Sequence, residues 1–178
     1  MELSEYKPSD IQEINKLFIK TFSDSEGESE GLVIGELVNE YMTSTDANDF
    51  YCFVATENEQ IIACVFYTKL TFESGVNVYI LSPMATHTKF QGKGIGQKLI
   101  NFGLNTLKDK GVEIVVTYGD PKFYSKVGFK QITEEIIKAP LKLSYPHGWL
   151  GQSLVNDKLE AIADKPSCVK ALNKPELW

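Results

Sequence analysis

Histidine and cysteine are scarce in this chain of 178 residues. Two histidines, His87 and His147, do not make the clustered set that a histidine-rich metal site needs, so no metal is expected. The three cysteines, Cys52, Cys64 and Cys168, have no C-x-x-C spacing, which argues against both a disulfide framework and a zinc site. Cys52 and Cys64 fall in apolar, strand-like runs, where cysteine behaves as a small core residue. No apolar run approaches the ~20 residues of a membrane-crossing helix. The opening Met1-Glu2-Leu3-Ser4-Glu5 lacks the basic and apolar regions of a secretory signal, so a cytoplasmic location and no membrane partner are expected. Basic charge is also in deficit. A formal net charge of −6 makes nucleic acid a poor partner and suits a cationic one such as an amine. At 43% apolar and 24% charged, the composition is that of an ordinary globular chain and excludes disorder. With no repeat, linker or low-complexity stretch, a single domain over residues 1–178 is expected.

What is present reads as β-α-α-β-β-β-α-β-α-β followed by a polar tail. Leu3 to Tyr6 is a short strand. Ser9 is placed to cap a helix, with Gln12 in the capping-box position and an apolar stripe through Ile11, Ile14, Leu17, Phe18 and Phe22. The acidic, serine- and glycine-rich stretch from Ser23 to Gly31 reads as a loop, followed by a second helix over Val33 to Tyr41. Phe50 to Ala55, Ile61 to Phe72 and Val76 to Met84 read as strands joined by turns at Glu57-Asn58-Glu59 and Glu73-Ser74-Gly75. A helix carrying Ile95, Leu99, Phe102, Leu104 and Leu107 ends at Gly111. A buried strand over Val112 to Tyr118 follows, and a last strand lies at Trp149 to Val155.

The most informative segment joins the strand at 76–84 to the helix that begins near residue 95. Its loop is Gln91-Gly92-Lys93-Gly94-Ile95-Gly96. A helix start leaves about four backbone N–H groups without partners and carries the positive end of the helix dipole. Three glycines remove the Cβ atoms that would keep an anion from those donors, and Lys89, Lys93 and Lys98 reverse the sign of the acidic background there. The alternative is a glycine-rich turn with no ligand. Spacing excludes the common phosphate loops: the Gly-Lys-Ser/Thr ending of a Walker loop is absent, and glycines at alternate positions do not make G-x-G-x-x-G.

The loop resembles the Gln/Arg-x-x-Gly-x-Gly/Ala signature of the GNAT superfamily of acyl-CoA-dependent N-acyltransferases. Downstream, Gly119-Asp120-Pro121-Lys122-Phe123-Tyr124-Ser125-Lys126-Val127-Gly128-Phe129 keeps that family's Phe-Tyr-x-x-x-Gly-Phe pattern at the matching distance. The resemblance is specific over residues 76 to 130 and architectural elsewhere. It implies an α/β fold of the α+β type, with a mixed, mostly antiparallel sheet of six to seven strands flanked by helices. It also implies acetyl-CoA as cosubstrate, bound by the backbone of Gln91, Gly92, Lys93, Gly94, Ile95 and Gly96. Met84, Ala85 and Thr86, beyond the ladder-breaking Pro83, would pair with the pantetheine arm. Asp120, standing where an asparagine that orients the cofactor arm is common in the family, and Tyr124 would complete the cofactor contacts.

The implied reaction is direct transfer of an acetyl group to a primary amine of a small molecule or peptide. An alkylamine has a pKa near ~10.4, so only on the order of 0.1% is neutral at pH 7 and its proton must be removed. Tyr124 matches the residue that faces the thioester sulfur and would protonate the departing thiolate; the alternative is an aromatic core residue. The glutamate that members often use as a base has no counterpart, since residues 76 to 86 hold no acid. Glu73, Asp24, Glu26 and Glu28 lie on loops in this reading and are unranked. Two further readings stay open: a non-catalytic acyl-CoA sensor on the same fold, and an interaction domain with a purely structural loop. Oligomeric state is open between monomer and homodimer.

Overall fold

Two long helices follow the first strand, and only one residue separates them. In the computed structural model, which describes residues 1–178, α1 runs Ile11–Glu26 and α2 runs Glu28–Ser44. The expected loop at 23–31 is therefore helical. Its break is Gly27, whose φ of 100° and ψ of 159° is backbone that only glycine adopts freely. The glycines that suggested a loop have another task. At Gly31 a Cβ would stand 2.7 Å from the Ile19 carbonyl, and at Gly35 it would overlap the Ile19 side chain. Both are glycine so that α1 and α2 can pack closely. The entry to α1 also differs from expectation: Pro8–Asp10 forms a 3-10 turn closed by Asp10, which accepts from Lys7 N–H at 2.8 Å, and α1, with Asp10 at its N-cap, begins without a side-chain cap from Ser9.

Seven strands follow the order β1-β2-β3-β4-β5-β7-β6. They are β1 (Glu2–Glu5), β2 (Phe50–Glu57), β3 (Gln60–Leu70), β4 (Val78–Thr86), β5 (Ile114–Tyr118), β6 (Lys130–Gln131) and β7 (Trp149–Ser153). Between β4 and β5 lies α3 (Ile95–Asp109), and α4 is the single turn Pro121–Tyr124. Strands β1/β2, β5/β7 and β6/β7 are antiparallel, and β4/β5 is parallel, as the α3 crossover requires. This is the mixed, mostly antiparallel sheet with flanking helices that the sequence implied. Only β6 went unread, at two residues too short to show a period.

The chain packs as two compact units. The first comprises Met1–Tyr67 with Pro83–Gly103. Its core joins Phe18, Tyr41, Phe53, Phe66 and Tyr67, all fully buried, with Phe18 and Tyr41 of the helices against Phe66 at ring distances of 5.7 and 5.2 Å. The Tyr67 hydroxyl donates to the Ile100 carbonyl of α3 at 2.9 Å, and the absent side chain of Gly103 makes room for that ring. Cys52 and Cys64 are buried here as unbonded thiols 3.4 Å apart. Burial pushes the Cys52 thiol well up, and the neighbouring Cys64 adds to the shift.

The second unit comprises Thr68–Ser82 with Leu104–Trp178. Parallel register runs from Val78↔Ile114 to Leu81↔Thr117, and β5 continues against β7 up to Tyr118↔Trp149. The tail is not merely polar: Ala171, Leu172 and Trp178 are buried. Trp178 stacks on Tyr118 at 6.0 Å and lies 6.2 Å from Trp149. Earlier in the tail, Ser167 and Thr71 exchange two backbone bonds of 2.9 and 3.0 Å.

Candidate functional site

Gly92 and Gly94 both have φ of 77°, and nothing lies within 4 Å of where a Cβ would stand on either. That pairing of left-handed backbone with open space is what an anion cradle requires. Gly94 carries the first carbonyl of α3, accepting from Lys98 N–H at 3.1 Å. The N–H groups at the start of this 15-residue helix have no carbonyl four residues behind them in the helix. Ile95 and Gly96 are buried, so the helix start is anchored while Gln91, Gly92 and Lys93 stay exposed. Lys93 Nζ sits 5.4 Å from the centre of the Phe90 ring, which holds one cation beside the loop.

The approach to this loop is fixed by hydrogen bonds within the first unit. The Gln91 side-chain amide donates to the Thr86 carbonyl at 3.0 Å, tying the loop to the end of β4. His87 Nδ1 accepts from Lys89 N–H at 3.2 Å, and the Thr88 hydroxyl donates to Asp24 at 2.8 Å. Met84, Ala85 and Thr86 close β4 beyond Pro83, with Ala85 buried and its two neighbours half-buried. The strand runs through Pro83 without interruption; the in-register pairing with β5 ends earlier, at Leu81.

Asp120 and Tyr124 belong to the second unit. Asp120 caps α4, its carboxylate accepting from Lys122 N–H at 3.0 Å. Tyr124 lies against Gly119, where a Cβ would come 2.7 Å from the ring. Phe123 and Phe129 approach it edge-on at 5.0 and 5.8 Å. Burial pushes its phenol up from 10.0 to about 12; a hydrogen bond with Thr117 works the other way, and the negative charge of Asp120 adds to the rise. The Thr117 hydroxyl is the residue that sequence reading missed, because nothing in a β-branched strand marks one threonine as polar and partnered.

Of the four acids considered as a base, Asp24 is the one the structure speaks to. Hydrogen bonds from Lys20 and Thr88 hold its carboxyl below the ordinary range, which makes it a weak proton acceptor. Asp24 and Glu26 end α1 and Glu28 begins α2, so the three sit at a helical corner rather than on a loop. Within the second unit, Gln131, Ile132, Leu143, Pro146, His147 and Trp149 line a cavity of about 430 Å³.

With this geometry in view, likeness to other proteins becomes specific. The family model described as an acetyltransferase (GNAT) domain matches residues 48–131, from the turn before β2 to the end of β6. The uncharacterized N-acetyltransferase YhbS of Escherichia coli K12 is 34% identical over 79 residues, 43% of this chain and 47% of that protein. The chain therefore matches about half the length of that curated relative. The crystal structure of YhbS in complex with CoA shares the fold at a TM-score of 0.78 and 22% identity, covering 97% of this chain and 92% of that one. A GNAT family acetyltransferase from Brucella melitensis in complex with acetyl-CoA follows at 0.73 and 22%, with 97% of each chain covered. The chain thus carries, over a little under half its length, a segment similar to the GNAT acetyltransferase domain, and it shares the fold of GNAT acetyltransferases of known structure.

Proposed function

We propose that this protein is an acetyl-CoA-dependent N-acetyltransferase, acting as one domain on a primary amine of a small molecule or peptide by direct attack. The observation that carries the reading is the pair of left-handed glycines, Gly92 and Gly94, opening the start of a 15-residue helix. That start offers backbone donors to the pyrophosphate of acetyl-CoA, and Met84, Ala85 and Thr86 offer strand backbone to the pantetheine amides. The complexes of YhbS with CoA and of the Brucella melitensis protein with acetyl-CoA support the choice of cosubstrate.

In the reaction, the neutral amine forms its N–C bond to the acetyl carbonyl and the C–S bond breaks, leaving its electron pair on sulfur. Tyr124 is the residue we assign to that sulfur. A phenol near 12 facing an alkyl thiol of ordinary pKa ~8.5 would lose about 5 kcal/mol by surrendering its proton outright. Tyr124 therefore acts as a hydrogen-bond donor to the thiolate, and water delivers the proton that completes the thiol. The amine's surplus proton leaves to water as well, because Asp24 is committed to Lys20 and Thr88. The cavity beside His147 is the place we assign to the acceptor. The partners are then acetyl-CoA and an amine, in the cytoplasm, with the protein a monomer or homodimer.

The deciding experiment is a calorimetric titration with coenzyme A, followed by a screen of polyamines, amino acids, aminoglycosides and N-terminal peptides for acetyl-CoA-dependent thiol release. Binding with turnover supports the enzyme. Binding with no turnover on any amine would leave a sensor, and no binding at all would overturn the site.

A further inference from the structure

Asp24 sits in the last turn of α1, at the negative end of the helix dipole, and no basic residue in that turn offsets it. Helix electrostatics alone would not put a carboxylate there. A residue that breaks a local rule is one held for another purpose, and the purpose shows in its bonds. Lys20, one turn back, donates to Oδ1 at 2.6 Å, and the Thr88 hydroxyl donates to Oδ2 at 2.8 Å. Lys20 thus aims the carboxylate, and Thr88 is what it grips. Thr88 opens the 3-10 turn Thr88–Phe90 in the connection from β4 to α3, three residues before the glycine cradle. Its carbonyl accepts from Gln91 N–H at 3.5 Å, one long bond from the first cradle residue. Other bonds of this connection lie within it or at its start: His87 N–H to the Ile62 carbonyl, Phe90 N–H to the His87 carbonyl, and the Gln91 amide to Thr86. The Thr88 side chain joins its middle to a helix. On the far side, buried Ile95 anchors the cradle in α3. Between the two anchors stand Gly92 and Gly94, with left-handed backbone and no side chain to hold them.

We propose that Thr88, gripped by Asp24, is a positioning residue for the cosubstrate cradle, fixing residues 88–91 in the arrangement in which Gly92 and Gly94 turn their open side to a phosphate. The inference rests on the reading of that loop as the coenzyme A site. A loop ordered in advance takes nothing from the ligand's binding free energy. A loop that wanders lowers apparent affinity in proportion to the fraction of molecules left in the competent arrangement. Asp24 also has an effect of its own, because a carboxylate near an anion site repels phosphate. Clasp and repulsion differ in sign: the first strengthens coenzyme A binding and the second weakens it.

The test is calorimetric titration with coenzyme A, alongside thermal melts of each variant. Thr88→Val keeps the shape of the side chain and the charge of Asp24 but loses the hydroxyl. It should bind coenzyme A about three- to fivefold more weakly, the scale of one net hydrogen bond. Thr88→Ser should restore the wild-type affinity. Asp24→Asn leaves an acceptor oxygen for Thr88 and removes the repulsion, so its affinity should equal or exceed the wild type's. The Asp24→Ala/Thr88→Val double variant should bind no more weakly than Thr88→Val alone. Both residues are exposed, so every variant should fold with a melting temperature close to the wild type's. If Thr88→Val binds coenzyme A as the wild type does, or serine fails to restore binding, the proposal is overturned and the cradle stands. A fall in melting temperature with affinity unchanged would make the bond merely structural and overturn it equally. If the wild type itself binds no coenzyme A, the cradle reading falls and takes the clasp with it.

Discussion

Tyr124 stays neutral over a wider pH range than a free tyrosine, and that has a consequence for stability. Its phenol titrates near 12 in the folded chain against 10.0 as its ordinary value, so between those values the folded state holds the proton more tightly than the unfolded one. The stabilisation is complete below pH 10 and is lost as pH rises toward 12, by up to about 2–3 kcal/mol. Tyr124→Phe has no proton to lose. Its melting temperature is therefore expected to fall less than that of the wild type between pH 10 and 12, measured in parallel thermal scans. At pH 7 the same variant should bind coenzyme A as the wild type does and lose roughly 10²–10³-fold in kcat, the scale of removing one preorganised donor to developing charge. Gly94 gives a second test at this scale. Valine there meets open space but must take φ near 77°, a strain of about 1–3 kcal/mol. Gly94→Val should remain folded by circular dichroism and lose coenzyme A binding in calorimetry.

At the scale of elements, strands and the glycine loop were legible because each depends on neighbours in sequence. The turn at Asn58 and Glu59, both with positive φ, joins β2 to β3 where the residues 57–59 marked it. The α1–α2 corner was not legible. Ser23, Gly27 and Gly31 look alike in composition, yet only Gly27 interrupts the helix, and Gly31 is glycine for a contact twelve residues away with Ile19. Tyr124 and Gly128 could be placed from their motif, whereas Thr117 could not, because its polarity is satisfied by a carbonyl of another strand. The tail escaped for the same reason. Trp178 is 4% exposed, and its partners Tyr118, Ser144 and Trp149 are far off in sequence. Trp178→Ala should lower the unfolding free energy by about 3–5 kcal/mol, as large-to-small changes at buried aromatics do, seen as a lower denaturant midpoint with unchanged slope.

At the scale of the whole molecule, all 18 basic residues are lysine; arginine is absent. Any phosphate group this chain binds must then be held by backbone donors and point charges rather than by planar, bidentate pairs. Coenzyme A affinity should therefore fall as salt rises, and Lys93→Ala should weaken it only a few-fold and flatten that dependence, both read by calorimetry. The units at Met1–Tyr67 with Pro83–Gly103 and at Thr68–Ser82 with Leu104–Trp178 meet along the chain inside β3, after Ser82 of β4 and inside α3, never in a linker. Continuous elements favour a single cooperative transition. Both tryptophans lie in the second unit, while α1 and α2 lie in the first. Indole fluorescence and helical circular dichroism should thus give one coincident melting curve, and separated midpoints would show two independently folding parts.

The two indoles carry a spectroscopic consequence of their own. Trp149 and Trp178 stand 6.2 Å apart with their planes at 59°, close enough and skewed enough for their strong transitions to couple. Coupled indoles produce paired bands of opposite sign in the far ultraviolet, superimposed on the helix and strand signal. A secondary-structure content fitted to that spectrum will misjudge this protein until the Trp178→Phe difference spectrum is subtracted. That difference is, in turn, an optical marker of whether the tail is docked.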